Sequence, residues 1–157
     1  MCRFCWLISA VLLVALSGLG YIALVRGNTV ASDDGRTAII MTSDERDLVL
    51  AEMRGFLEAV QAITESVAEN DMAGAARNAR KVGSGAAEGV PLALMAKLPL
   101  EFKTLGLSTH SAFDNVALEA EGIGSDTEVL KQISTLMLNC TGCHAGYKLV
   151  AETGPSH

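Results

Sequence analysis

The chain has 157 residues, half of them apolar and 19% charged, with 15 Gly, 3 Pro, 4 Phe, 2 Tyr and 1 Trp; this suits one domain and excludes a disordered chain, a collagen-like chain and a disulfide-dense mini-protein. Ala, Leu, Glu and Lys dominate after residue 40, and dense β-branched alternation is absent, so an all-α domain is expected. The formal net charge is −6, Arg3 and Arg26 flank the first apolar run, and all 18 acidic residues follow it; such a surface argues against nucleic acid, whose phosphates need Lys and Arg, and suits docking to a basic protein partner.

Residues 6–25, WLISAVLLVALSGLGYIALV, carry no charge. A secretory signal core is usually about 7–15 apolar residues, whereas about 20 span a bilayer. Trp6 and Tyr21 sit near the two ends, where amphipathic rings favour the membrane interface. Residues 1–25 are therefore expected to be an uncleaved N-terminal anchor. The alternative is a cleaved signal peptide, with Thr29-Val30-Ala31 as a weak cleavage match. Either way the remainder is exported, which places it at the periplasmic side of a bacterial inner membrane, tethered if the segment stays and soluble if it is cut. Cys2 and Cys5 read as thiols without a role on the cytosolic side.

Residues 26–41, with Asp33-Asp34-Gly35, read as a linker. A helix opens at Thr42, where Glu45 three residues on completes a capping box. Its stripe is Val49, Met53, Phe56, Val60, Ile63 and Val67, spaced by alternating four and three. A second helix starts with Asp71 as cap and shows a small face of Ala75, Ala76, Ala79 and Val82, fit for a tight helix contact or for the close approach of something bulky. Pro91 suits the first turn of a short helix over residues 92–98. Pro99 opens a long helix to about Glu121, with Phe102, Leu105, Phe113, Val116 and Ala120 as core candidates. Ser125 and Glu128 form a second capping box, and the stripe Leu130, Ile133, Met137, Cys140, His144, Tyr147 follows. These patterns predict an antiparallel four-helix bundle over residues 42–150, with residues 151–157 as a fraying tail.

Cys140-Thr141-Gly142-Cys143-His144 is C-x-x-C-H, the attachment signature for c-type haem. Two cysteine sulfurs form thioethers to the two vinyl groups on one edge of the macrocycle. The next residue, His144, is then held where its imidazole reaches the iron from one side, and the small Thr141 and Gly142 leave the porphyrin edge unobstructed. Zinc needs four ligands; this motif supplies at most three, and neither His110 nor His157 stands at a spacing that favours a fourth. A thioredoxin-like dithiol needs the positive pole of a helix N-terminus, whereas this pair lies towards a C-terminus. One covalent haem c is the expected cofactor.

In an up-down-up-down bundle the first and last helices run antiparallel. His144 then lies about 9 Å from the end of the last helix and Met53 about 16 Å from the start of the first, at 1.5 Å per residue. Both fall towards the same end of the bundle, so Met53 is either the second axial ligand or a core filler. His110 is a rival ligand. Arg46, seven residues before Met53 on the same face, is either a partner for a haem propionate or a solvated first-turn charge.

At this point the chain resembles the class II cytochromes c, meaning cytochrome c-prime and its low-spin relatives. The likeness rests on the haem motif near the C-terminus in LMLNCTGCHAGYKL, on Asn139 before the first cysteine, on Tyr147-Lys148 after the motif, and on Arg46 and Met53 seven apart in ERDLVLAEMRGFLEAV. It spans about residues 40–150. The resemblance implies a four-helix bundle with Cys140 and Cys143 as thioether anchors, His144 as proximal ligand and Met53 as distal ligand. High-spin members lack that methionine and bind gases such as nitric oxide at an open site. The expected function is thus one-electron transfer by a tethered, non-enzymatic carrier, the alternative being a gas-binding haem protein or sensor. Expected partners are a redox protein with a basic surface, the membrane through the N-terminal helix, and, as an option, a second copy of the chain in a homodimer.

Overall fold

The computed structural model describes residues 3–122 and 125–152. Cys2, the side chain of Cys5, and residues 153–157 of the expected tail, His157 included, lie outside the described residues. Helix α1, Arg3–Tyr21, runs into one wider helical turn, Ile22–Arg26. The stretch Trp6–Arg26 has a mean hydropathy of 2.3 and lies wholly outside the core, so it is long and apolar enough for a membrane anchor or a signal sequence.

The body is mostly helical, with one small sheet. Five of its helices follow the capping logic of the sequence. In α2, Ser43–Ala68, the Thr42 hydroxyl accepts from the Glu45 amide at 3.3 Å and the Glu45 carboxylate accepts from the Thr42 amide at 2.8 Å. Asp71 caps α3, Met72–Arg80, by accepting from the Gly74 amide. The glycines after it admit a tight turn, Ser84–Ala87. Pro91 precedes α4, Leu92–Lys97, and Pro99 precedes α5, Leu100–Glu121. Ser125 caps α6, Asp126–Gly146, by accepting from the Glu128 amide at 3.3 Å, but the expected box is only half made, because the Glu128 carboxylate accepts from the Lys131 ammonium at 3.1 Å instead of from the Ser125 amide.

Residues 26–41 are not a linker. They hold two strands, β1 (Thr29–Ala31) and β2 (Thr37–Met41), and the turn at Asp33-Asp34-Gly35 joins them as a hairpin. Helix α6 also stops earlier than its apolar period suggests. Tyr147 leaves the helix and opens β3, Tyr147–Ala151, which pairs parallel to β2 with Thr37 opposite Tyr147 and Met41 opposite Ala151. The fold is therefore not all-α: a three-stranded sheet, ordered β1-β2-β3, clamps the chain before α2 to the chain after α6.

Two apolar clusters result. The larger joins Ile63 and Val67 of α2, Ala75 and Ala79 of α3, Phe113, Val116 and Ala117 of α5, and Val129, Ile133 and Leu136 of α6. The alanine face of α3 thus serves close helix contact. The smaller joins Ile39 and Met41 of β2, Val49 of α2, Leu94 and Leu98 around α4, and Phe102 of α5. Along α6 the buried stripe is Val129, Ile133, Leu136, while Leu130 and Met137 are exposed. The sequence stripe was one residue out of phase at those positions, because a 3.6-residue period tolerates either neighbour.

Candidate functional site

The last turns of α6 carry Cys140 and Cys143 on the side that continues Ile133 and Leu136. Cys140 packs against the larger cluster and Cys143 against the smaller, so the two thiols straddle the boundary between them. Both are free and half-buried. Burial pushes both thiols up, and for Cys143 the neighbouring Cys140 adds to the effect. That is the opposite of what a dithiol redox catalyst requires.

Met53 lies half-buried on α2 and packs on the smaller cluster with Cys143. Between α2, α5 and the end of α6 the packing opens into a cavity of about 570 Å³ lined by Met53, Cys140, Cys143 and His144 together. Its remaining wall is largely apolar, with Phe56 and Val60 of α2 and Phe102 and Leu105 of α5. The volume is ordinary for a cofactor site. His144 is exposed at its rim rather than buried with the apolar stripe. The sheet fixes this end: Tyr147 follows His144 by three residues, packs edge-on to Phe102 at 5.4 Å, and donates from its hydroxyl to Glu101 at 2.9 Å. Burial, with the Glu101 carboxylate, pushes the Tyr147 phenol up to about 12.

Arg46 is not brought to this wall. It stands one turn beyond the Val49 end of the lining, half-exposed, with its guanidinium 4.0 Å from Asp47. The cation that does line the cavity is Arg54, directly after Met53. Adjacency to Met53 was the only signal for it. His110 is not brought to the motif either. It is 4% exposed, its Nδ1 lies 2.8 Å from the Val82 carbonyl and its Nε2 3.1 Å from Glu52 Oε1, so both ring nitrogens are engaged.

A haem fits this donor set. Two thiols at i and i+3 share one wall, an imidazole follows directly, and a thioether lines the same apolar space. Among the described residues no three His, Cys, Asp or Glu side chains gather as an ion-binding group. No known protein family, curated protein or solved structure matches the chain.

Proposed function

We propose that this protein is a c-type cytochrome of the four-helix-bundle kind, with α2, α3, α5 and α6 as the bundle, working as a one-electron carrier rather than an enzyme. The observation that carries the reading is the convergence of Cys140, Cys143, His144 and Met53 on one apolar cavity. Cys140 and Cys143 would hold a single haem c by thioethers, His144 would be the proximal ligand and Met53 the distal one. Bound there, the group supplies a one-electron iron couple whose potential Met/His ligation raises. The apolar walls from Phe56, Val60 and Phe102 exclude water, and Arg54 supplies a cation for an acidic edge of the cofactor.

We read the N-terminal helix as a tether rather than a cleaved signal because of the sheet. Thr29–Ala31, the cleavage match, is strand β1 paired to β2, so cutting there would strip an edge from the sheet. The body then faces the periplasm, with a basic redox protein as partner for its acidic surface. The test is the mass and absorption spectrum of chain produced with cytochrome maturation machinery. One covalent haem and a low-spin spectrum are expected; colourless product at apoprotein mass overturns the reading.

A further inference from the structure

A second cavity, of about 640 Å³, lies across α2 and α5 from the first. The two share Val49, Glu52, Phe56, Phe102 and Gly106 as wall residues, so they adjoin. We infer that this second cavity binds the head group and proximal isoprenoid chain of a membrane quinol, which serves as the carrier's electron donor. The donor role rests on the cytochrome reading above; the binding does not.

Three observations carry the inference. The space is built rather than left over. Gly55 of α2 and Gly106 of α5 both line it, both have ordinary helical backbone, and a Cβ at either would meet nothing within 4 Å. Glycine in a helix interior is unfavourable, and neither residue is needed here for a turn or for close helix packing.

The cavity wall touches the end of the N-terminal helix. Lys103 lines the cavity, and its ammonium donates to the Leu24 carbonyl at the end of the membrane helix at 3.0 Å. The cavity is also lined by three exposed leucines, Leu48, Leu92 and Leu107, of which Leu92 is 87% exposed. An apolar-lined opening beside a bilayer admits an amphiphile with a long chain.

The lining polar groups select the head. Glu52 accepts from His110 with one oxygen, and a carboxylate has a second with which to accept a hydroxyl. Glu88 lines the same space. The lining cations are engaged elsewhere, Lys103 with the Leu24 carbonyl and His110 with the Val82 carbonyl and Glu52, which leaves Glu52 as an acceptor for the hydroxyl donors that a hydroquinone brings. Oxidation of a hydroquinone to its quinone releases two electrons and two protons. Two oxidised carriers take one electron each, and the protons leave to water.

The experiment uses full-length, matured protein in phosphatidylcholine nanodiscs with a photoactivatable azidoquinone bearing a short isoprenoid tail. Label is expected within residues 48–55 or 88–95 and is displaced by unlabelled quinone. Gly55→Leu fills the cavity from a residue that does not line the haem cavity, and is expected to lower labelling about tenfold or more with haem mass and spectrum unchanged. Leu92→Ser, at an exposed position, is expected to lower labelling without altering helicity. Label elsewhere, undiminished labelling of folded Gly55→Leu, or equal displacement by a fatty acid overturns the inference. Coloured protein without label sinks this inference alone; colourless protein labelled in the cavity sinks the carrier reading and leaves the quinol site standing.

Discussion

The Asn28 amide donates to the Lys97 carbonyl at 2.7 Å, tying the chain just past the N-terminal apolar helix to the end of α4. Gly27, one residue earlier, makes this approach feasible. Its φ of 64° and ψ of −166° lie in a region open essentially to glycine alone. A Cβ there would strike the Lys97 carbonyl oxygen and come within 2.7 Å of the Leu98 carbonyl carbon. Gly27→Ala should therefore cost about 1–3 kcal/mol, read as a lower urea midpoint for the full chain in micelles. Were the junction a loose tether, the midpoint would not move.

The two proposed axial ligands separate by spectrum. Met53→Leu keeps an apolar side chain of similar volume, so the body should stay folded while ferric spectra turn high-spin and the ferrous protein takes up carbon monoxide rapidly and completely. His144→Ala should leave haem attached through Cys140 and Cys143 but miscoordinated. If wild-type ferrous protein itself bound carbon monoxide rapidly and fully, Met53 would be a neighbour of the iron and not its ligand, and the gas-binding alternative would take over.

Much of the helical frame was legible because its boundaries are written in single residues. Thr42, Asp71 and Ser125 each accept from a first-turn amide, and Pro91 and Pro99 each open a helix. The sheet was not legible. Thr37–Met41 is short, sits beside a polar turn, and gains its partner from Tyr147–Ala151 at the far end of the chain; no local pattern encodes that pairing. Tyr147 also fits the helical period of α6, so periodicity alone carried the helix past its end at Gly146. At the site, adjacent residues fixed Cys140, Cys143 and His144 as a motif. Seven-residue spacing put Arg46 on the Met53 face but could not say where along that face the cavity stops.

The start of α2 offers a second stability test. Glu45 Oε2 accepts from the Thr42 amide at 2.8 Å and from the Lys97 ammonium at 2.7 Å, linking the cap to α4. Thr42→Ala removes the hydroxyl that accepts the Glu45 amide and should cost about 1 kcal/mol. The Lys97 ammonium, with the Thr42 amide, holds the Glu45 carboxyl below its usual range. Its contribution is present above the unfolded value of 4.5 and lost as pH falls through the lower folded value. Glu45→Gln should flatten that acid limb of a urea-midpoint profile while leaving the neutral-pH helicity intact.

His110 should produce a limb of opposite sign. The Glu52 carboxylate at 3.1 Å favours its protonated ring, the Val82 carbonyl at 2.8 Å adds to this, and burial opposes it, with a net rise above the usual 6.5. The other charged groups lining its cavity are Lys103 of α5 and Glu88 before α4. Above the unfolded pKa the folded chain holds a proton that the unfolded chain has released. Stability is thus fully supported below about pH 6.5 and declines as pH rises through the higher folded value, by at most about 1.4 kcal/mol per pH unit for one proton. Urea midpoints from about pH 5.5 to about pH 9 should show this decline, and His110→Gln should remove it. A His110→Gln profile with the same alkaline slope as wild type would mean that the Glu52–His110 contact carries no proton-linked stability.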